Sequence, residues 1–224
     1  MGAFNKVTKE SLDNVQINAG MILASFNPSS VTAPEADDIV CATTGGIQVD
    51  CTPTFEDFGA DIDNCPNNTK ELKKVTGWEC KFTFTAVEVT EKTIALALGA
   101  AGSVSNEVQP QNELIGANFN TIWFVSERVD NKIIAIELKN GLGGGLSYKT
   151  QKNAKGQLSI TLTGHISMAD SDEVPMTFYV CQNTRSASGM QVMSLTGTSS
   201  MSDTVTPKNG TTSTTTSTTS TTKS

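Results

Sequence analysis

The chain has 224 residues, of which 37% are hydrophobic and 17% charged, with a net charge of -7. That length suits one domain, or one domain with an appendage, able to bury roughly 70% of its unfolded surface. The acidic balance excludes tight phosphate-directed binding of nucleic acid, which needs clustered Lys and Arg. No apolar run approaches the ~20 residues of a membrane span.

Charged residues fall short of the usual share of about 25%, and Thr, Ser, Asn and Gln fill the gap. Neutral polar groups cost less to desolvate than charges, so this composition tolerates assembly against another protein. The charge is uneven. Ten acids and no basic residue lie between Lys9 and Lys70, while residues 138–169 hold Lys139, Lys149, Lys152 and Lys155 with no acid. Two solvated faces are the plain reading. A subunit contact in which opposite potentials set the register is the sharper one.

In chain order, residues 1–19 form an N-terminal arm without a clear pattern. "GMILASFN" (20–27) is a compact apolar run expected as a strand. A loop region follows, with a turn at Gly45-Gly46, and "IQVDCTPTF" (47–55) alternates as a strand does. Residues 56–74, "EDFGADIDNCPNNTKELKK", are polar, acidic and interrupted by Gly59 and Pro66. A loop of that length is usually functional or mobile.

The next stretch, "GWECKFTFTAVEVTEKTIALALGAAGS" (77–103), is the most organised. Cys80, Phe82, Phe84 and Ala86 share one strand face, and Lys81, Thr83 and Thr85 share the other. The pattern changes phase at Val87, which predicts a bulge or a change of environment. Thr90 and Glu91 open a helix with Ile94, Leu98 and Ala101 at helical spacing. "TIWFVSER" (121–128) and "KIIAIELKN" (132–140) read as a hairpin, and "GLGGG" (141–145) as a flexible connection. "GQLSITLTGHIS" (156–167) and "PMTFYVC" (175–181) read as strands, and "QVMSLTG" (191–197) as a weaker one. Residues 211–224 are almost wholly Thr and Ser, with nothing apolar to anchor them, and are expected to be disordered. The folded part is therefore expected to span 1–207, with a Thr/Ser-rich tail over 208–224. The fold class is mainly β, a sandwich or barrel-forming sheet with one flanking helix.

Little in the sequence carries chemistry. The single histidine, His165, continues the polar face of its strand, and no nucleophile motif stands near it. No GxSxG occurs. "NGLGGG" lacks the GK[ST] of a phosphate loop. "DIDNCPNN" starts like a calcium loop, but Pro66 and Leu72 fall where Gly and Glu are required. Glu56-Asp57 reads as a pair of solvated loop acids, not a glycosidase pair. Cys41, Cys51, Cys65, Cys80 and Cys181 form no CxxC pair and leave at least one thiol unpaired, so reduced, buried thiols are expected. Residues 1–20 are polar and lack an apolar signal core, so synthesis in the cytosol is expected. An enzyme is disfavoured, and no metal or cofactor is expected.

The order of an early apolar strand, an acidic irregular loop and "NCPNNTKELKKVTGWECKFTFTAVEVTEKTIALALGAA", followed by a hairpin and a final β segment, resembles the major tail (tail tube) proteins of long-tailed bacteriophages and prophages. The junction Gly77-Trp78-Glu79 and the helix ending in "ALGAA" carry most of the likeness, which covers roughly residues 15–185. The resemblance implies a β-sandwich whose copies form rings, usually hexamers, stacked into a tube in the virion tail and assembled in the host bacterial cytoplasm. It implies partners in the chain itself and in other tail proteins at the tube ends, with transient passage of DNA and no membrane insertion. The candidate inter-ring loop contains Glu56, Asp57, Phe58, Asp61, Asp63, Lys70, Lys73 and Lys74. Lys81, Thr83 and Thr85 are the candidate lumen-side face. The competing reading is a β-sandwich adhesin with the Thr/Ser tract as a stalk.

Overall fold

A computed structural model describes residues 7–29, 33–105 and 107–184. The weak strand at 191–197, the Thr/Ser tract and the boundary at 207 lie outside the described residues. A short helix, α1 (Lys9–Asp13), opens this part, capped by the Thr8 side chain, which accepts from the Ser11 N–H. Strands β1 (Met21–Leu23), β2 (Ile39–Cys41), β3 (Thr43–Asp57) and β4 (Lys73–Ala86) come next. Then come α2 (Glu91–Leu98), the small hairpin β5 (Ala101–Val104) and β6 (Glu107–Pro110), and β7 (Asn120–Glu127). The last strands are β8 (Lys132–Gly143), β9 (Ser147–Lys149), β10 (Gln157–Thr163) and β11 (Met176–Thr184).

The fold is mainly β. One antiparallel sheet runs β2-β1-β7-β8-β10-β4-β3, with β11 also on β8 and β9 also on β10. The first part of β8 pairs with β7 and β11, while Leu142 and Gly143 at its end pair with β10. A single strand thus carries the sheet from one layer into the next. The two halves enclose one core. Ile22, Ile122, Phe124, Ile136 and Leu138 come from one half, and Cys80, Phe82, Phe84, Leu158, Ile160 and Leu162 from the other. The expected alternation along β4 and β10 holds: Phe82, Ile160 and Leu162 are fully buried. The 121–140 hairpin also forms, across a turn at 129–131. On the outer side of that hairpin Trp123, Val125 and Ala135 are buried with Leu23, Phe26 and Tyr179. Both faces of β7 are therefore apolar, unlike β4, whose second face carries Lys81, Thr83 and Thr85.

Several local expectations are corrected. Gly45-Gly46 is not a turn between elements. Both glycines sit inside β3 with φ of 79° and 84°, where the register to β4 shifts between Thr44 and Ile47. That is a bulge, and the left-handed backbone there suits glycine. The phase change at Val87 is the end of a strand: β4 stops at Ala86, and the Val87 N–H bonds to the Ala42 carbonyl. α2 begins as read, with Thr90 and Thr93 exchanging side chain–backbone hydrogen bonds of 3.2 and 2.9 Å. Its buried face, however, is Thr93 and Ala97, not Ile94 and Leu98, and Ala101 belongs to β5.

The reason lies in "GLGGG". Gly141 and Gly143 are strand residues, not a flexible connection. A Cβ on Gly143 would meet the Leu96 carbonyl oxygen at 2.1 Å, and one on Gly99 the Gly143 oxygen at 2.4 Å. Backbone meets backbone there, so the helix face turned inward has to be its small one.

Candidate functional site

Two surfaces of the β3–β4 hairpin gather the residues singled out in the sequence. The first is the outward face of the body sheet. Cross-strand partners share a face in an antiparallel sheet, and the register places Asp50, Lys81 and Thr163 in one row. Gln48, Thr83 and Thr161 form the next row, and Thr44, Thr85 and Ser159 the third. The Thr83 and Thr161 hydroxyls lie 3.5 Å apart, and the Gln48 amide donates to the Asp50 carboxylate at 2.9 Å. Lys81 forms an ion pair with Glu79. Lys81, Thr83 and Thr85 are thus the central column of a three-strand polar ribbon. The flanking columns were legible in principle from the same odd–even alternation at 44–50 and 159–163.

The second surface is the far part of the hairpin. Beyond the paired Cys51 and Cys80, β3 and β4 leave the sandwich and continue as a two-stranded arm. The register shifts between Thr54 and Phe55, leaving Thr76 as an extra residue on β4, with its hydroxyl 3.3 Å from the Thr54 carbonyl. A bulge of this kind increases twist and re-aims the strand beyond it. The expected 56–74 loop is therefore shorter. Glu56 pairs with Lys74 and Asp57 with Lys73 as strand residues, and only 58–72 form the tip. The length misled because polar residues on a strand exposed on both faces give no alternation to read.

The tip is internally organised. Asp57 accepts from the Gly59 N–H at 2.9 Å and from the Asn68 N–H at 3.1 Å, and the Phe58 N–H bonds to the Leu72 carbonyl. Asn64 and Asn68 adopt left-handed φ near 60°, a conformation that asparagine tolerates better than most residues. Asp57 is therefore held inside the loop, whereas Glu56, Asp61, Asp63 and Lys70 are exposed. Lys73 lies over the Phe55 ring at 5.3 Å and Lys74 over the Phe58 ring at 5.7 Å. Phe55, Phe58, Ile62, Val75 and Trp78 are all exposed, Phe55 at 54%. Phe55 and Val75 were not singled out from the sequence, and Trp78 only as part of the Gly77-Trp78-Glu79 junction. The signal for Phe55 and Trp78 was the apolar alternation running on past the core, and the bulge at Thr76 takes Val75 out of that phase.

No reactive constellation accompanies these surfaces among the described residues. His165 is exposed, its Nδ1 3.3 Å from the Asn140 carbonyl and its ring edge-on to Phe119. No group of three or more metal-binding side chains occurs among the described residues. Cys41, Cys51, Cys65 and Cys80 are free thiols. Burial, then the neighbouring Cys51, pushes the Cys80 thiol up to about 12. Burial, then Glu88, pushes Cys41 up to about 11. Neither is a nucleophile near neutral pH.

No family model and no curated protein matches the sequence. Among solved structures, the chain is similar to one from the virion of a native gene transfer agent particle, with a TM-score of 0.39 and 7% identity, over 72% of this chain and 96% of that one. It is similar also to a chain from the tail of an empty gene transfer agent particle refined with helical C6 symmetry, at 0.36 and 7% identity with the same coverage. Likeness of this degree bears on neither assembly nor cargo.

Proposed function

We propose that this protein is a structural component of a phage-type tail, whose copies assemble into stacked rings that form a tube for DNA. The observation that carries the reading is the arm. Phe55, Phe58, Val75 and Trp78 stand exposed on a hairpin that runs on past the body sheet, where β3 and β4 pair only with each other among the described strands. Exposed apolar side chains clustered on one element mark an interaction surface. Here they decorate a structure stiffened by a continuous ladder and a hydrogen-bonded tip, so little ordering entropy is lost on docking.

Two further features fit. The sheet path ends at β2 and β3 among the described residues, leaving edges that another copy can complete. The ribbon centred on Lys81, Thr83 and Thr85 supplies a wet, weakly charged face. Such a lining lets a polyanion slide, where a basic one would hold it through counterion release. In this reading Lys81, Thr83 and Thr85 face the lumen, and the arm, with Glu56, Phe58, Asp61, Asp63 and Lys70, reaches the neighbouring ring.

Deleting residues 59–70 tests the arm's role. The cut joins Phe58 to Glu71 and leaves a short hairpin turn between the paired Asp57 and Lys73. The expected product is a folded monomer, unchanged in far-ultraviolet circular dichroism, that no longer polymerises. Normal polymerisation of this variant would overturn the assignment.

A further inference from the structure

The two ends of the long hairpin differ in charge. β10 pairs with β4 from Leu158↔Ala86 to Thr163↔Lys81, and β9 pairs back on β10 through Tyr148↔Leu158 and Lys149↔Gln157. The turn between β9 and β10 therefore lies beyond the Ala86 end of β4. The arm tip lies beyond its Lys73 end. The fourteen residues of β4 separate the two, on the order of 40 Å at the rise of an extended chain.

The β9–β10 turn is basic. Lys149, Lys152 and Lys155 are exposed, and none of them has an ion pair among the described residues. Beside them Tyr148 is half exposed, its hydroxyl close against Gly156. No acid lies between 138 and 169. The basic character belongs to this hairpin alone, since Glu88 follows the end of β4.

The arm tip has the complementary character. Residues 56–63 hold four acids and no base. Glu56, Asp61 and Asp63 are exposed and without an ion pair among the described residues, and Phe58 and Ile62 stand exposed between them. On the returning side of the tip, Lys70 is exposed, and Lys73 and Lys74 lie over the rings of Phe55 and Phe58.

We infer that the acidic, apolar tip of the arm docks on the basic β9–β10 hairpin of a second copy, around Tyr148, Lys149, Lys152 and Lys155. This deepens the assembly reading and rests on it. The two patches are different surfaces beyond opposite ends of β4. Their contact is head to tail, so each copy that docks presents a fresh acceptor, and the chain of contacts does not close on itself. Opposite charges fix the polarity of stacking, because arm against arm or hairpin against hairpin juxtaposes like charges.

The test is a charge swap in the full chain, read as the fraction sedimenting and as particles in negative stain. Lys149→Glu/Lys152→Glu/Lys155→Glu, and separately Glu56→Lys/Asp61→Lys/Asp63→Lys, should each lower the assembled fraction at least about tenfold, as expected for like charges brought together. Both sets in one chain, or the two variants mixed in equal amounts, should restore assembly. Recovery in the combined chain also shows that neither set acts by unfolding the protein. If the wild type polymerises and the lysine variant does so equally well, the acceptor is wrong and the assembly reading stands. If both sets abolish assembly and their combination does not restore it, the pairing is likewise overturned. A wild-type chain that stays monomeric at high concentration removes the assembly reading and this contact with it.

Discussion

Residues 80–86 and 73–79 belong to one strand and share β3 as a partner, yet they live in different surroundings. In the first segment alternate side chains are fully buried: Cys80, Phe82 and Ala86 are at 0% exposure. In the second, Val75 is 47% and Trp78 38% exposed. The backbone ladder is continuous through both, apart from the bulge at Thr76. The ladder to β3 therefore does not distinguish body from arm; the second ladder to β10 along 81–86, and the burial that comes with it, do. Among the described residues the apolar side chains of 73–79 lack the burial of those at 80–86, as the proposed contact with another copy requires.

Substitutions can sharpen or break this contrast. The largest effect is expected in the body: Phe82→Ala should cost about 3–5 kcal/mol of stability, measured by denaturant unfolding, because it opens a cavity under a fully buried ring. Next comes Gly143→Ala, whose Cβ would run into the Leu96 carbonyl. A loss of about 1–3 kcal/mol is expected, as for overpacked sites, with α2 displaced from β8. Thr90→Ala removes the helix cap and should cost about 1 kcal/mol. The smallest effect on folding belongs to the arm. Phe55→Ser with Trp78→Ser should change monomer stability by no more than about 0.5 kcal/mol, while sharply reducing assembly. A double variant as costly as Phe82→Ala would mean that the arm is covered within its own chain, and the contrast would fail.

Much of the body was legible in the sequence, because burial on one face imposes a period of two. Cys80 to Ala86 and Leu158 to Leu162 show that period without interruption, and Thr90 announces the helix through its hydroxyl. The misreadings share a cause. Gly45-Gly46 and Gly141 to Gly145 look like punctuation, but one pair serves a bulge inside a strand and Gly143 admits a helix backbone. Glycine marks a backbone demand without saying which one, and only the neighbour across space decides. The inward face of α2 was missed for the same reason: close approach favours Thr93 and Ala97 over Ile94 and Leu98. The polar faces at Lys81, Thr83 and Thr85 and at Ser159, Thr161 and Thr163 were legible as faces, and only their alignment side by side in rows required the strand register. The acidic stretch at 56–63 was visible as composition. Its position at the end opposite Lys149, Lys152 and Lys155 needed the pairing of β4 with β10.

Assembly is most directly tested by negative-stain microscopy of the purified protein at high concentration. Hollow rings or tubes of regular width, with stain filling the axis, are the predicted result. Monodisperse solid particles at every concentration, each the size of a single chain, would contradict the account.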